Sequence, residues 1–197
     1  MNKQRPSRGK PQKGKSQLRI IGGQWRGRKL TFTPEEGLRP TQDRFRETLF
    51  NWLMHNVEGA HCLDLFAGSG ALGLEALSRG ASDVCFIDSS PQACAQIRQH
   101  LATLNSIKGQ VKHADALSWV STHTSAQPFD LVFLDPPFHQ HLLGDCCKAL
   151  EQNNLIHTNS YIYVESEKGH NEQLPDHWQL IKEKQTQTKQ LQLFQHK

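Results

Sequence analysis

A chain of 197 residues that is 36% hydrophobic is long enough to bury the core of one domain. Its mean hydropathy of −0.63 and the lack of any apolar run near the ~18 residues of a membrane span exclude a membrane-embedded protein of the helical kind. The net charge of +4 hides an asymmetry: residues 1–46 hold 13 Lys/Arg and 3 Asp/Glu, whereas residues 47–197 hold 10 and 16, so a basic quarter that suits a polyanion precedes an acidic body.

In chain order, residues 1–16 are rich in Lys, Arg, Pro, Gly and Gln and are expected to form a disordered basic tail. From Leu18 to Phe32 two short apolar runs flank Gly22-Gly23, which predicts a hairpin. Residues 34–40 form a predicted loop. Thr41 can cap a helix reaching about Asn56, with Phe45, Leu49, Trp52 and Leu53 on one face. Arg19, Arg26, Arg28, Lys29, Arg39, Arg44 and Arg46 interleave with Trp25, Phe32 and Phe45 in this segment, a pattern that predicts nucleic-acid contact.

The remainder alternates as a doubly wound α/β fold does. Strands are predicted at Cys62–Phe66, Asp83–Ile87, Gln110–His113, Asp130–Leu134 and Tyr161–Glu165. Helices are predicted at Ala71–Ser78, from the Ser90 cap and Pro91 to about Leu104, at Ala116–Val120 and at His141–Gln152. Two alternating runs, QLIKEK and KQLQLF, read as an antiparallel pair at the sheet edge. The expected architecture is a Rossmann-like, mostly parallel seven-stranded sheet with an antiparallel C-terminal edge hairpin. Residues 17–197 would form one domain, made of a hairpin and helix (17–57) added to the core (58–197).

Gly68-Ser69-Gly70-Ala71-Leu72-Gly73 satisfies G-x-G-x-x-G between a strand and a helix, and Asp88 follows Gly68 by 20 residues at a second strand's end. That context suits a nucleotide-like cofactor whose ribose hydroxyls a carboxylate accepts. A structural turn alone would also use these glycines. Asp64 separates the candidate cofactors. A carboxylate on a buried strand is costly unless paired, and the ammonium and sulfonium of S-adenosylmethionine offer it positive neighbours, whereas a dinucleotide pyrophosphate would be repelled. Asp115 can accept from an adenine amine or cap the helix behind it.

Asp135-Pro136-Pro137-Phe138 ends the strand FDLVFLD, at the edge where such sheets bind ligands. An amine on a nucleobase is a poor nucleophile because its lone pair is spread into the ring. Acceptors on its N–H groups favour a pyramidal nitrogen. The Asp135 carboxylate and Pro136 carbonyl can be those acceptors, in a loop that proline stiffens, and Phe138 can stack on the base for ~1–3 kcal/mol. A base in structured RNA would have to flip out to reach them. A plain proline turn is the alternative. His139, His141, Asp145, Cys146 and Cys147 cluster downstream without a standard zinc spacing, so no metal is expected. The odd number of cysteines, none spaced as C-x-x-C, predicts reduced thiols and a cytoplasmic setting, and the basic N-terminus lacks the apolar stretch of a secretory signal.

RIIGGQWRGRKL at Arg19–Leu30, LRPTQDRFRETLFNWL at Leu38–Leu53, LDLFAGSGALGLEALSRGA and FLDPPF together resemble the bacterial 16S ribosomal RNA guanine-N2 methyltransferases, the RsmD family of class I methyltransferases, over residues 18–195. The resemblance implies methylation of a guanine N2 amine in small-subunit ribosomal RNA, on a ribonucleoprotein particle; a monomer is expected. It places S-adenosyl-L-methionine against Asp64, Phe66, Gly68, Gly70, Asp88, Asp115 and Ala116. It places the base against Asp135 to Phe138, and the Arg39 to Arg46 block near cofactor and RNA. With Arg26 and Arg28 from the patterned segment, Arg39 and Arg44 are the expected RNA contacts, and Pro137 is expected at the substrate, beside Asp135, Pro136 and Phe138. An adenine-N6 methyltransferase would use the same D-P-P-F corner. An NAD-dependent oxidoreductase rests on the glycine motif alone, and a non-catalytic RNA-binding module on the basic hairpin alone.

Overall fold

The computed structural model describes residues 16–32, 43–137, 141–169 and 173–197. The expected basic tail, the loop at 34–40, the Thr41 cap and the site candidates Arg39, Phe138 and His139 lie outside these.

The hairpin consists of β1 (Ser16–Arg19) and β2 (Lys29–Phe32), antiparallel, with Leu18 opposite Leu30. A 3₁₀ turn at Gly23–Trp25 lies between them. Helix α1 (Asp43–Trp52) follows. It stops short of the expected Asn56, because the chain turns through residues 53–59 to enter the core. The core then runs β3 (His61–Asp64), α2 (Ala71–Ser78), β4 (Asp83–Asp88), α3 (Pro91–Thr103), β5 (Gly109–His113), α4 (Ala116–Thr122), β6 (Phe129–Leu134), α5 (Leu143–Gln152), β7 (Ile156–Glu167), β8 (Trp178–Gln185) and β9 (Lys189–His196).

These strands form one seven-stranded sheet in the order β5-β4-β3-β6-β7-β9-β8. Strands β3 to β7 are mutually parallel, and β9 and β8 close the edge antiparallel. The chain order reverses beside β3, where β4 and β6 flank it. That is the switch point at which sheets of this kind open a crevice. The sheet is Rossmann-like, with the antiparallel C-terminal pair that the alternating runs predict.

Strand residues alternate faces with a period of two. Cys62, Leu131, Phe133 and Tyr163 pack with the hairpin, α1, α2 and α3 on one side. Leu63, Leu65, Val132, Leu134, Ile162 and Val164 pack with α4 and α5 on the other. Central strands buried on both faces read as unbroken apolar runs, as FDLVFL does.

Strand β3 ends at Asp64 rather than the expected Phe66, and two further boundaries differ for a visible reason. The last core helix starts at Leu143, not His141, because His141 has φ 49° and cannot continue a right-handed helix. Strand β7 begins five residues before Tyr161. Its polar first half is held off the regular ladder by an irregularity near Phe129, where the Ser160 hydroxyl donates to the Phe129 carbonyl (2.7 Å) and accepts from His157 N–H (2.9 Å). No helix among the described residues is long and apolar enough to cross a membrane.

Candidate active site

The carboxyl ends of β3, β4 and β6 lie side by side. Asp64 pairs in register with Phe86 and Phe133, and the ladder continues past β3 through Leu65 N–H to the Phe133 carbonyl (3.2 Å) and Ala67 N–H to the Ile87 carbonyl (2.9 Å). Neighbouring strands sit about 4.8 Å apart. The glycine turn that follows β3 and the Asp135-Pro136-Pro137 loop that follows β6 are therefore neighbours on the same edge.

The turn is built from backbone. Gly68 and Gly70 have φ of 51° and 77°, a region that favours glycine. Gly68 N–H donates to Asp88 Oδ2 (2.6 Å), and Ser90 N–H donates to Asp88 Oδ1 (2.8 Å). Asp88 thus fixes the turn from the end of β4 and stays half-buried, with lone pairs to spare on each oxygen. Ser90 caps α3 by accepting from Ala93 N–H (3.0 Å), with Pro91 at the first helical position. Gly73 is glycine for packing: a Cβ there would stand 2.2 Å from Phe86 Cε1, so α2 could not lie as close to β4.

Asp64 is 2% exposed. Among the described residues its one hydrogen bond is from Gly73 N–H to Oδ2 (3.0 Å). Burial pushes its carboxyl up to about 7, against the lowering effect of the Gly73 bond, and the nearby Asp88 charge adds to the rise. A buried carboxylate with so little compensation fits a positively charged ligand. Phe66 is half-buried beside it. Asp115 caps α4, accepting from Ser118 N–H (2.8 Å), and that bond lowers its pKa. The capping role expected of it is present, and Asp115 remains exposed at the end of β5, with Ala116 buried behind it.

Asp135 is half-buried, Pro136 buried and Pro137 exposed. Asp135 continues the face of Leu131 and Phe133, the face that carries Asp64. Tyr163 and Glu165 lie on the neighbouring β7 on this same face, with Leu134 in register with Val164. Burial raises the Tyr163 pKa first, followed by the charges of Glu165 and Asp135. Tyr163 O–H donates to Glu165 Oε2 (3.0 Å), and Lys189 from β9 pairs with Glu165 Oε1. Tyr163 and Glu165 are fully buried. This network lies within electrostatic reach of Asp135. The motifs did not point to it, although a charged residue inside the apolar strand YIYVE is a visible signal.

The basic segment divides. Arg44 is exposed at the start of α1, over the ring of Phe45. Arg46, expected at a nucleic-acid surface, is instead fully buried. Its Nη2 donates to the Arg19 carbonyl (2.7 Å) and Asp43 Oδ1 (2.6 Å), and its Nη1 lies 3.8 Å from Glu75 Oε2. Arg26 and Arg28 are exposed, but not beside the corner. The turn that precedes Arg26 is tied to the last residues of α2, with Trp25 N–H donating to Ser78 Oγ (3.0 Å), and Arg28 donates to the carbonyl of Thr103, the last residue of α3 (3.0 Å). Both helices start at the glycine-turn edge and end at the opposite one, and eight residues of α2 alone span ~12 Å.

Among the described residues the downstream cluster forms no metal-binding group. Cys146 and Cys147 are buried in α5, whereas His141 and Asp145 are exposed. All five cysteines are buried, and none is in a disulfide.

The fold is Rossmann-like, and the comparisons with known proteins give the class, a methyltransferase. Residues 18–195 match the family model "Conserved hypothetical protein 95". The chain is 45% identical to the ribosomal RNA small subunit methyltransferase D of Haemophilus influenzae over 184 residues, covering 92% of this chain and 95% of that one. It is 46% identical to the protein of that name in Escherichia coli K12 over 172 residues, covering 87% and 86%. Among solved structures, Escherichia coli yhhF superposes with a TM-score of 0.83 at 45% identity, over 92% of this chain and 99% of that one. Haemophilus influenzae HI0767 superposes with 0.80 at 42%, over the same shares. The chain belongs to the RsmD family, that of ribosomal RNA small subunit methyltransferase D.

Proposed function

We propose that this protein methylates the N2 amine of a guanine in 16S ribosomal RNA, using S-adenosyl-L-methionine. The observation that carries the reading is the adjacency of an under-compensated buried carboxylate, Asp64, and the Asp135-Pro136-Pro137 loop on neighbouring strand ends. The names of the close relatives supply the RNA.

The residues present fit the cofactor. Asp64 offers a buried negative charge to a cationic group, Asp88 offers spare lone pairs at the end of β4, and Gly68 and Gly70 leave the turn without side chains. Asp115, Phe66 and Ala116 would complete the surface. When bound, S-adenosyl-L-methionine would supply a methyl group on a sulfonium, whose sulfur is a good leaving group because it departs as a neutral thioether. The protein's own task is alignment. Asp135 and the Pro136 carbonyl accept the two N–H groups of the base amine and draw its lone pair out of the ring. Phe138 and Pro137 would bound the base, and Arg44, near the start of α1, and Arg39 would hold adjacent phosphates. Asp64 disfavours a dinucleotide, whose pyrophosphate would meet a buried carboxylate.

The small ribosomal subunit is the proposed partner, bound by a cytoplasmic monomer. Incubation of purified protein, labelled S-adenosyl-L-methionine and either naked 16S RNA or small subunits, followed by nucleoside analysis, tests the reading. N2-methylguanosine in RNA is the expected product. N6-methyladenosine would favour the adenine enzyme, and no methyl transfer to either substrate would refute the proposal.

A further inference from the structure

At the sheet edge opposite this site, three side chains from three elements meet. Glu151 lies in the last turn of α5, His177 just before β8, and His196 at the end of β9. One potential ligand atom from each lies within 4.8 Å of the other two. Glu151 Oε1 is 2.6 Å from His177 Nε2 and 3.4 Å from His196 Nε2, and it also accepts from Trp178 Nε1.

Hydrogen bonding accounts for only part of this grouping. A carboxylate oxygen has two lone pairs, and three N–H donors oversubscribe it. Trp178 and His177 fill it. His196 is left over: its Nε2 is too far for a charge-assisted bond of about 2.7–2.9 Å. Its Nδ1 is buried with no hydrogen-bond partner among the described residues. The 3.4 Å Glu151–His196 separation does equal the spacing of about 3.4 Å between two ligand atoms that each sit ~2.1 Å from one tetrahedral ion, whereas His177 Nε2, now 2.6 Å from Glu151 Oε1, would exchange that hydrogen bond for the ion and move outward.

We propose that Glu151, His177 and His196 bind a divalent transition ion of the zinc type. Two imidazoles and a carboxylate are a donor set that zinc accepts. The Trp178 bond orients the carboxylate, as outer donors to metal ligands do. His177 is half exposed, so solvent can complete the coordination. The ion would fasten the end of β9 to α5, far from the glycine turn. It is a staple for the C-terminal strand pair, in contrast to the metal-free chain that spacing alone suggests.

The test is calorimetric titration of the full chain, freed of metal by chelation, with zinc alone, together with the absorption spectrum of the cobalt(II) form. One ion per chain, a tetrahedral-type cobalt spectrum and a rise in Tm on metal addition are expected. Glu151→Gln keeps an acceptor for Trp178 and His177 but lacks the anionic ligand, so it should weaken zinc binding at least ~10-fold, as should His196→Ala. His157→Ala, a histidine outside the group, should bind as wild type. Absence of saturable zinc binding, or equal affinity in wild type and Glu151→Gln, overturns the proposal. If His196→Ala does not fold, the wild-type cobalt spectrum still decides: an octahedral-type spectrum counts against it.

Discussion

The two ends of helix α2 hold two buried carboxylates in opposite states of compensation. Near its C-terminal end Glu75 is fully buried and fully engaged. Its Oε1 accepts from Gly22 N–H (2.7 Å) and Arg79 Nε (2.8 Å), and its Oε2 accepts from Ile21 N–H (2.8 Å) and faces Arg46. At the N-terminal end Asp64 has the single bond from Gly73. Burying a charge is costly unless it is paired and hydrogen-bonded. Glu75 is therefore a joint, closed by the hairpin, α1 and α2. Asp64 is a charge held incomplete, at the edge where a cationic ligand can complete it.

The largest effect expected from breaking this contrast is at the joint. Glu75→Ala leaves the buried Arg46 with only the exposed Asp43 as counter-charge, and leaves two backbone N–H groups and Arg79 without their acceptor. A loss of about 3–5 kcal/mol in denaturant-induced unfolding is expected. A loss below ~1 kcal/mol would mean that Glu75 does not hold the hairpin.

Asp64 should show the complementary behaviour. With its carboxyl at about 7 in the free protein, protons compete with a cationic cofactor below neutrality. Affinity for S-adenosyl-L-methionine should fall ~10-fold per pH unit below pH 7 and level off above it. The raised pKa also makes the folded state bind more protons than the unfolded one, so this group's contribution to stability is present below pH ~4 and lost as pH rises to ~7. Asp64→Asn should bind weakly with little pH dependence, and its unfolding should lose that pH-dependent component. Calorimetry and thermal melts between pH 5 and 8 measure both.

Between the two ends, Gly73→Ala would press a methyl group onto Phe86. A destabilisation of about 1–3 kcal/mol is expected, and wild-type stability would show that α2 can retreat from β4. The smallest effect belongs to the distal basic turn. Charge reversal at Arg26 should lower the salt slope of RNA binding by ~1 if it touches one phosphate. An unchanged slope would place that edge outside the RNA footprint.

Much of this was legible in the chain because it is local. The glycine run, the Ser90-Pro91 cap, the Asp88 spacing and the proline loop are each contained in a few residues, and Asp64 betrays itself as a charge in an apolar strand. What stayed hidden is long-range. Glu75 meets Ile21 across 54 positions, and Lys189 meets Glu165 from a strand added late in the chain. Arg46 misled because arginines in a basic run are ordinarily solvated, and only the folded joint shows this one enclosed. The start of β7 was obscured by polar residues around Ser160 that break the period-two pattern.

The central claim is that the Asp135 corner acts on the base amine while Asp64 and the glycine turn hold the cofactor. The most direct measurement is the turnover of Asp135→Ala on ribosomal RNA alongside its affinity for S-adenosyl-L-methionine. The account predicts near-normal cofactor binding and a turnover lowered by roughly 10²-fold or more. Wild-type turnover, or a loss explained wholly by failure to bind the cofactor, would contradict it.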